Sequence, residues 1–284
     1  MQFKNIQEID LKLLLLSGET IKVENLDIVP YKLVEINRYG YTRYRNNIQL
    51  ISLTIDDFIE SIEDESKKEF LIEQKNSLKT FDFYIKLGGK ELYDSLVSAL
   101  SMIFRTDDVI VLDDGKVAIN LVEKGIFSYE DGVLTVNRDV LDSIPEEEIT
   151  IVSRENFDDI VSVVKLQNYL DKPNKDDDND FNPANDDVRK LQEHMQKMRE
   201  KVAKAKKQQQ MGDGDDKEID ISDIISAISS KSNSINKLNI WDLTLYQVYD
   251  EYARLELIDS YDFSLRAIMA GAEKVDLKHW SSKL

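Results

Sequence analysis

Asp176, Asp178 and Asp180 stand at alternate positions in an aspartate-rich run. On a tight turn that spacing gathers carboxylate oxygens around a hard cation. The rest of a calcium loop does not follow. Phe181 stands where the sharp turn requires Gly, Pro183 interrupts the loop, and Asp187 rather than Glu falls at the bidentate position. A solvated spacer accounts for the run, and neither a metal nor another cofactor is expected. Activation of a nucleophile by a neighbouring base calls for His, Lys or a carboxylate in a cleft. His194 sits among Gln192, Glu193 and Gln196, while His279 lies near the C-terminus beside Trp280, so both read as surface or packing residues. Gly88-Gly89 lacks the surroundings of a P-loop or a dinucleotide fingerprint. With 55 acidic residues, no pair stands out for glycoside chemistry. No catalytic residue is assigned, and a non-enzymatic protein is expected.

The elements that would position any site are those of a 284-residue chain with 37 basic and 55 acidic side chains, a formal charge of −18. Such a balance repels phosphate backbones and anionic lipid surfaces, so neither nucleic acid nor a membrane is an expected partner. The absence of cysteine excludes disulfides, Cys-ligated metals and thiol nucleophiles. The apolar run Leu13–Leu16 is too short for a signal-peptide core or a membrane span, so the chain is expected to stay in the cytosol where it is made. A hydrophobic content of 42% suffices for a real core.

Residues 1–172 read as an α+β domain. Leu11–Leu16 and Ile21–Val23, around Ser17-Gly18, look like two strands, and Pro30 suits the opening of a helix reaching about Arg38. Thr54 and Asp57 form a capping-box pair ahead of Phe58, Ile59 and Ile62, and a charged helix follows over about Ser66–Leu78. Phe81–Leu87 alternates like a strand, whereas Leu92, Leu96, Ala99, Leu100 and Ile103 mark a helix over about Lys90–Phe104. Two hairpins turn at Asp114-Gly115 and Asp131-Gly132, because Asp-Gly corners accept positive φ. Helices are expected at Asn137–Ser143 and Asn156–Leu170.

Composition changes after Asp171. An acidic linker over 173–187 precedes a helix over 188–210, a second polar linker over 211–218 and a small helical module over 219–284. Val188, Leu191, Met195, Met198, Val202 and Ala205 are spaced 3, 4, 3, 4, 3, the seam of a coiled coil. Eight Lys and Arg against two Glu make that helix locally basic, suited to an acidic protein partner or to the flanking Asp runs. It is a candidate for partner binding and self-association. In the module, helices are expected around Ile240–Leu257 and Phe263–Ala272. Trp241, Leu245, Val248, Tyr252 and Leu255 fall on one helical face, with Tyr246, Tyr249, Tyr261 and Trp280 adding aromatic area. About 65 residues bury little surface alone. Trp241, Tyr246, Tyr249, Tyr252 and Trp280 are therefore candidate partner contacts.

Three stretches carry a resemblance. They are Glu155-Asn156-Phe157 with Ile160 and Val161 leading into Lys165-Leu166-Gln167-Asn168-Tyr169-Leu170; Asn182-Pro183-Ala184-Asn185 before Met198-Arg199-Glu200-Lys201; and Ile240-Trp241-Asp242-Leu243-Thr244-Leu245-Tyr246-Gln247 with Tyr252-Ala253-Arg254-Leu255, Ala270-Gly271-Ala272 and His279-Trp280. In this order they resemble tail-morphogenesis proteins of tailed bacteriophages infecting Gram-positive hosts. The resemblance covers about the last 130 residues. It implies a tail assembly chaperone that binds the helical tape-measure protein and hands it to tail-tube subunits in the host cytoplasm. The alternatives are a baseplate or hub subunit retained in the virion, and an enzyme in the N-terminal domain. It supplies no catalytic residues.

Overall fold

The computed structural model describes residues 2–60, 68–69, 71–72, 78–87, 89–130, 132–145, 148–171, 219–271, 275 and 277–282. The linkers over 173–187 and 211–218, the heptad segment 188–210 and most of the charged stretch 66–78 lie outside the described residues. Backbone packing divides the chain into two units, Met1–Pro173 with Ile228–Leu284, and Asn174–Ala227. The first is an α+β fold of helices and small antiparallel sheets.

Leu11–Leu16 is helical, not a strand: α1 runs Glu8–Ser17. Leucine is a strong helix former, Glu8 and Asp10 in the first turn complement the helix dipole, and Gly18 ends the helix at φ 72°. There Gly18 N donates to Leu15 O and Glu19 N to Leu14 O, a Schellman closure that needs a left-handed residue. Strands β1 (Ile21–Val23) and β2 (Leu26–Ile28) then pair antiparallel, each with its two end residues buried. Helix α2 covers Leu33–Tyr39, three residues beyond Pro30, and is capped where Lys32 N donates to Glu35 at 2.8 Å. Helix α3 (Tyr41–Ile51) turns Tyr44, Ile48 and Ile51 inward. Thr54 and Asp57 cap α4 (Ile55–Glu60) reciprocally, with Thr54 N donating to Asp57 at 2.7 Å and Asp57 N to Thr54 Oγ1 at 3.3 Å.

The alternation over Phe81–Leu87 does not make a strand. Thr80–Asp82 is a helical turn running into a π-helical turn, Phe83–Leu87. That geometry buries Phe81, Phe83 and Tyr84 together, where a strand would divide them between two faces. Helix α5 (Gly89–Phe104) buries Leu96, Ala99, Leu100, Met102 and Ile103 and packs along α3. Both hairpins form as the turns indicate: β3 (Val109–Val111) pairs with β4 (Val117–Ile119), and β5 (Phe127–Glu130) with β6 (Val133–Val136). Asn137 caps the short α6 (Arg138–Ser143), and β7 (Ile151–Val152) adds to the free edge of β4. Ala118, Leu121, Ile126 and Phe127 form a local core beneath these hairpins.

Helix α7 (Phe157–Gln167) buries Phe157, Ile160, Val161, Val163, Val164 and Leu166. Apolar on most sides, it is surrounded by protein: α3, the 80–82 turn, β1, β2 and the Phe3–Asn5 turn pack on it. Burial overrides the weak helix propensity of its β-branched residues. Its end repeats the closure of α1, with Tyr169 N donating to Leu166 O and Leu170 N to Lys165 O, but the left-handed residue is Tyr169 at φ 59°. Buried polar groups around α7 are paired. Tyr44 Oη donates to Asn168 Oδ1 at 2.7 Å, and Gln167 Nε2 to Ile28 O at 2.9 Å.

Helix α8 (Ile221–Lys231) crosses the boundary between the units, and Asp220 starts it by accepting from Ser222 N at 2.7 Å. The two helices expected around 240–257 and 263–272 are one: α9 runs unbroken from Leu245 to Met269. No Gly or Pro interrupts that stretch, and only the apolar stripe weakens after Leu257. From Ile228 onward the C-terminal elements belong to the same unit as residues 1–173.

Candidate interaction surface

The start of α9 is fixed by a capping box, in which Thr244 N donates to Gln247 Oε1 at 2.8 Å and Gln247 N to Thr244 Oγ1 at 3.3 Å. The same Gln247 reaches α1, donating through Nε2 to Leu16 O at 2.8 Å, and Leu33 N donates to Leu243 O at 2.8 Å. Gly18 lies close by. A Cβ at that position would stand 3.3 Å from Thr244 Cγ2, so the end of α1 and the beginning of α9 meet at a residue without a side chain.

Tyr169 meets the same helix. Its ring lies 5.4 Å from Tyr246 in a T-shaped contact and 5.6 Å from Tyr249 in a stacked one. A left-handed non-glycine residue costs on the order of 1–2 kcal/mol, which these aromatic contacts help to offset. Burial, then the Asp250 carboxylate, pushes the Tyr246 hydroxyl up to about 12. Burial and then Tyr41 do the same for Tyr249, also to about 12.

This geometry sorts the residues singled out in the sequence. Leu245, Tyr246 and Val248 are buried, and Tyr249 faces Tyr169, so this part of the aromatic set is turned inward. Trp241 is not on the α9 face. It sits in a separate 3-10 turn, Ile240–Asp242, in which Ile240 is buried and the partly exposed indole donates to Lys237 O at 3.0 Å. Tyr252 is half-buried. Trp280 is partly exposed, held near α9 where Arg254 Nη1 donates to Trp280 O at 2.8 Å and Ser282 O at 2.9 Å. His279 joins that corner, 5.2 Å from Tyr261 and 5.4 Å from Trp280, and its Nδ1 shares a hydrogen bond with Ser281 Oγ at 2.7 Å. Val188, Leu191, Met195, Met198 and Val202 lie outside the described residues.

The outward apolar groups of α9 are ones the sequence reading passed over. Phe263 is 75% exposed and Met269 87%, towards the end of a helix whose first turns are buried. Ile9, Leu13 and Leu16 of α1 are also exposed, at the i, i+4, i+7 spacing of one helical face. Elsewhere, a cleft of about 350 Å³ is lined by Gln2, Phe3, Lys4, Asn5, Val23, Glu24 and Asp159. Its charged groups are engaged in structural pairs: Lys4 with Asp159 at 3.0 Å, and Glu24 accepting from Asn156 Nδ2 at 2.8 Å. Among the described residues no group of three or more His, Cys, Asp or Glu could hold a metal ion, and no helix is long and apolar enough to cross a membrane.

Residues 206–284 match the family described as YomV second domain, YomV being a Bacillus phage-encoded protein. The match takes in α8, the Trp241 turn, α9 and the Trp280 tail, so this part of the chain is similar to a phage-derived domain family. No curated protein and no solved structure matches the chain.

Proposed function

We propose that the protein is a non-enzymatic tail-morphogenesis factor of a bacteriophage, acting as an assembly chaperone for the tape-measure protein and tail-tube subunits in the host cytoplasm. The observation that carries this reading is the exposure of Phe263 and Met269 within the segment matching a phage-encoded domain family. Large apolar side chains left this exposed near the end of a helix favour a protein partner, and a helical partner that aggregates alone gains from covering its own apolar face. The expected seam Val188–Ala205 would add a second contact of the same kind.

Affinity purification of the tagged full chain from phage-infected cells tests the reading. Tape-measure or tail-tube protein should be recovered, and finished virions should lack the chain. Recovery without either tail protein would refute the chaperone reading, and stoichiometric presence in virions would replace it with a baseplate or hub subunit. Trp241 and Trp280, the only tryptophans, give a local readout: both are partly exposed, so their emission should shift to the blue as a tail partner covers them.

A further inference from the structure

α1 is apolar at Ile9, Leu11, Leu13, Leu14, Leu15 and Leu16, almost all the way round. Such a helix is normally enclosed by protein. Here Leu11 and Leu15 are buried, while Ile9, Leu13 and Leu16 are 60%, 56% and 44% exposed. A single exposed leucine is ordinary. Three at spacings of four and three form one stripe, about two helical turns or roughly 10 Å long.

The charges that α1 and its C-terminal end carry are mostly acidic. Glu8 and Asp10 flank Ile9, and Glu19 follows the end of the helix. Lys12, the one cation of α1, is ion-paired with Glu8, and its side chain is only 25% exposed. Glu8, Asp10 and Glu19 against Lys12 give 1 − 3 = −2 over residues 8–19, in a chain of −18. An anionic surface would be repelled here, whereas a ligand with cationic flanks is favoured. The i, i+4, i+7 arrangement forms a ridge that fits the groove of another helix. An extended peptide would instead require an open sheet edge, which the side of a helix does not offer.

We propose that the Ile9–Leu13–Leu16 face of α1 docks a cationic amphipathic helix of a partner protein. This rests on reading the chain as an interaction protein and defines the chemistry of one of its partners. Partner leucine-type side chains cover the stripe, and Lys or Arg beside them meet Asp10 and Glu19. The stripe is carried by α1 and the Phe263 and Met269 side chains by α9, so each can be altered alone.

The test uses the full chain and two fluorescein-labelled three-heptad peptides of equal apolar spacing, one Leu/Lys and one Leu/Glu. The Leu/Lys peptide should bind, weakening with salt, and the Leu/Glu peptide should bind at least about tenfold more weakly. Ile9→Ser with Leu13→Ser should cost the Leu/Lys peptide at least about tenfold in affinity. Leu13→Met and Phe263→Ser should leave it unchanged, and all variants should keep the parent melting temperature because the altered positions are exposed. Equal binding of the two peptides, or binding insensitive to the serine pair, overturns the proposal. A full chain that sediments as a dimer and is dispersed by the serine pair also overturns it, assigning the face to a second copy. Peptide binding that appears only when residues 174–218 are deleted overturns it in favour of the chain's own basic segment. If the peptide test fails while tape-measure protein is still captured, only the α1 site is lost; the reverse result refutes the tail-assembly reading alone.

Discussion

Phe157→Ala is expected to destabilise the protein by about 3–5 kcal/mol, the range for deleting a buried aromatic side chain. Phe157 is 1% exposed and opens α7, the helix on which much of the first unit packs. Its ring lies 5.1 Å from Phe81 and 5.7 Å from Tyr84. Tyr84 continues the cluster edge-on to Phe58 at 5.1 Å, and Phe58 stacks on Phe83 at 5.1 Å. Burial pushes the Tyr84 hydroxyl upward, and its proton is donated to Leu50 O, which ties the cluster to α3. Against a typical total stability of roughly 5–15 kcal/mol, such a loss is large. Urea unfolding should show a much lower midpoint with little change in slope. Phe263→Ala, at an exposed position, should stay within about 0.5 kcal/mol of the parent. A loss below about 1 kcal/mol for Phe157→Ala would mean that the aromatic cluster is not close-packed.

The second large effect concerns the C-terminal helix. A chain ending at Pro173 should unfold at a clearly lower urea concentration than the full protein. Removing Leu245, Tyr246 and Val248 takes away three buried side chains, worth on the order of 1.5–3 kcal/mol each for those that bury fully. It also leaves Leu33 N and Leu16 O without the partners supplied by Leu243 and Gln247, and uncovers the left-handed Tyr169. Tyr169→Ala in the full chain should reproduce part of the loss, since it keeps the backbone cost and removes the ring contacts. An unchanged midpoint for the shortened chain would establish residues 1–173 as self-sufficient.

Local signals were legible wherever they were self-contained. The Thr54 and Asp57 cap, the two Asp-Gly corners and the stripe from Leu92 to Ile103 each specify their element within a few residues. The run Leu11–Leu16 was not decidable from hydrophobicity, because a short apolar run suits a strand as well as a buried helix. Glu8, Asp10 and Gly18 carried the deciding information as start and stop signals. Tyr44, Ile48 and Ile51 of α3 have helical spacing but follow Gly40 without a side-chain cap. Tyr169 in a left-handed conformation has no sequence signature, since its stabilisation comes from rings about 80 residues away. That same long-range contact decided the candidate site. Local spacing marks Tyr246 and Tyr249 as an available aromatic face, and packing on Tyr169 turns them inward, leaving Phe263, Met269 and the α1 stripe outside.

In the proposed role, these outward apolar groups keep a helical tail protein in solution until it is assembled. Light scattering tests it most directly, with the phage's tape-measure protein diluted from denaturant in the presence of the purified full chain. An equimolar amount should suppress the rise in scattering and yield a soluble complex, and polar replacement of Phe263 and Met269 should weaken that protection without lowering the melting temperature. Scattering that rises as fast with the chain as without it would contradict the account.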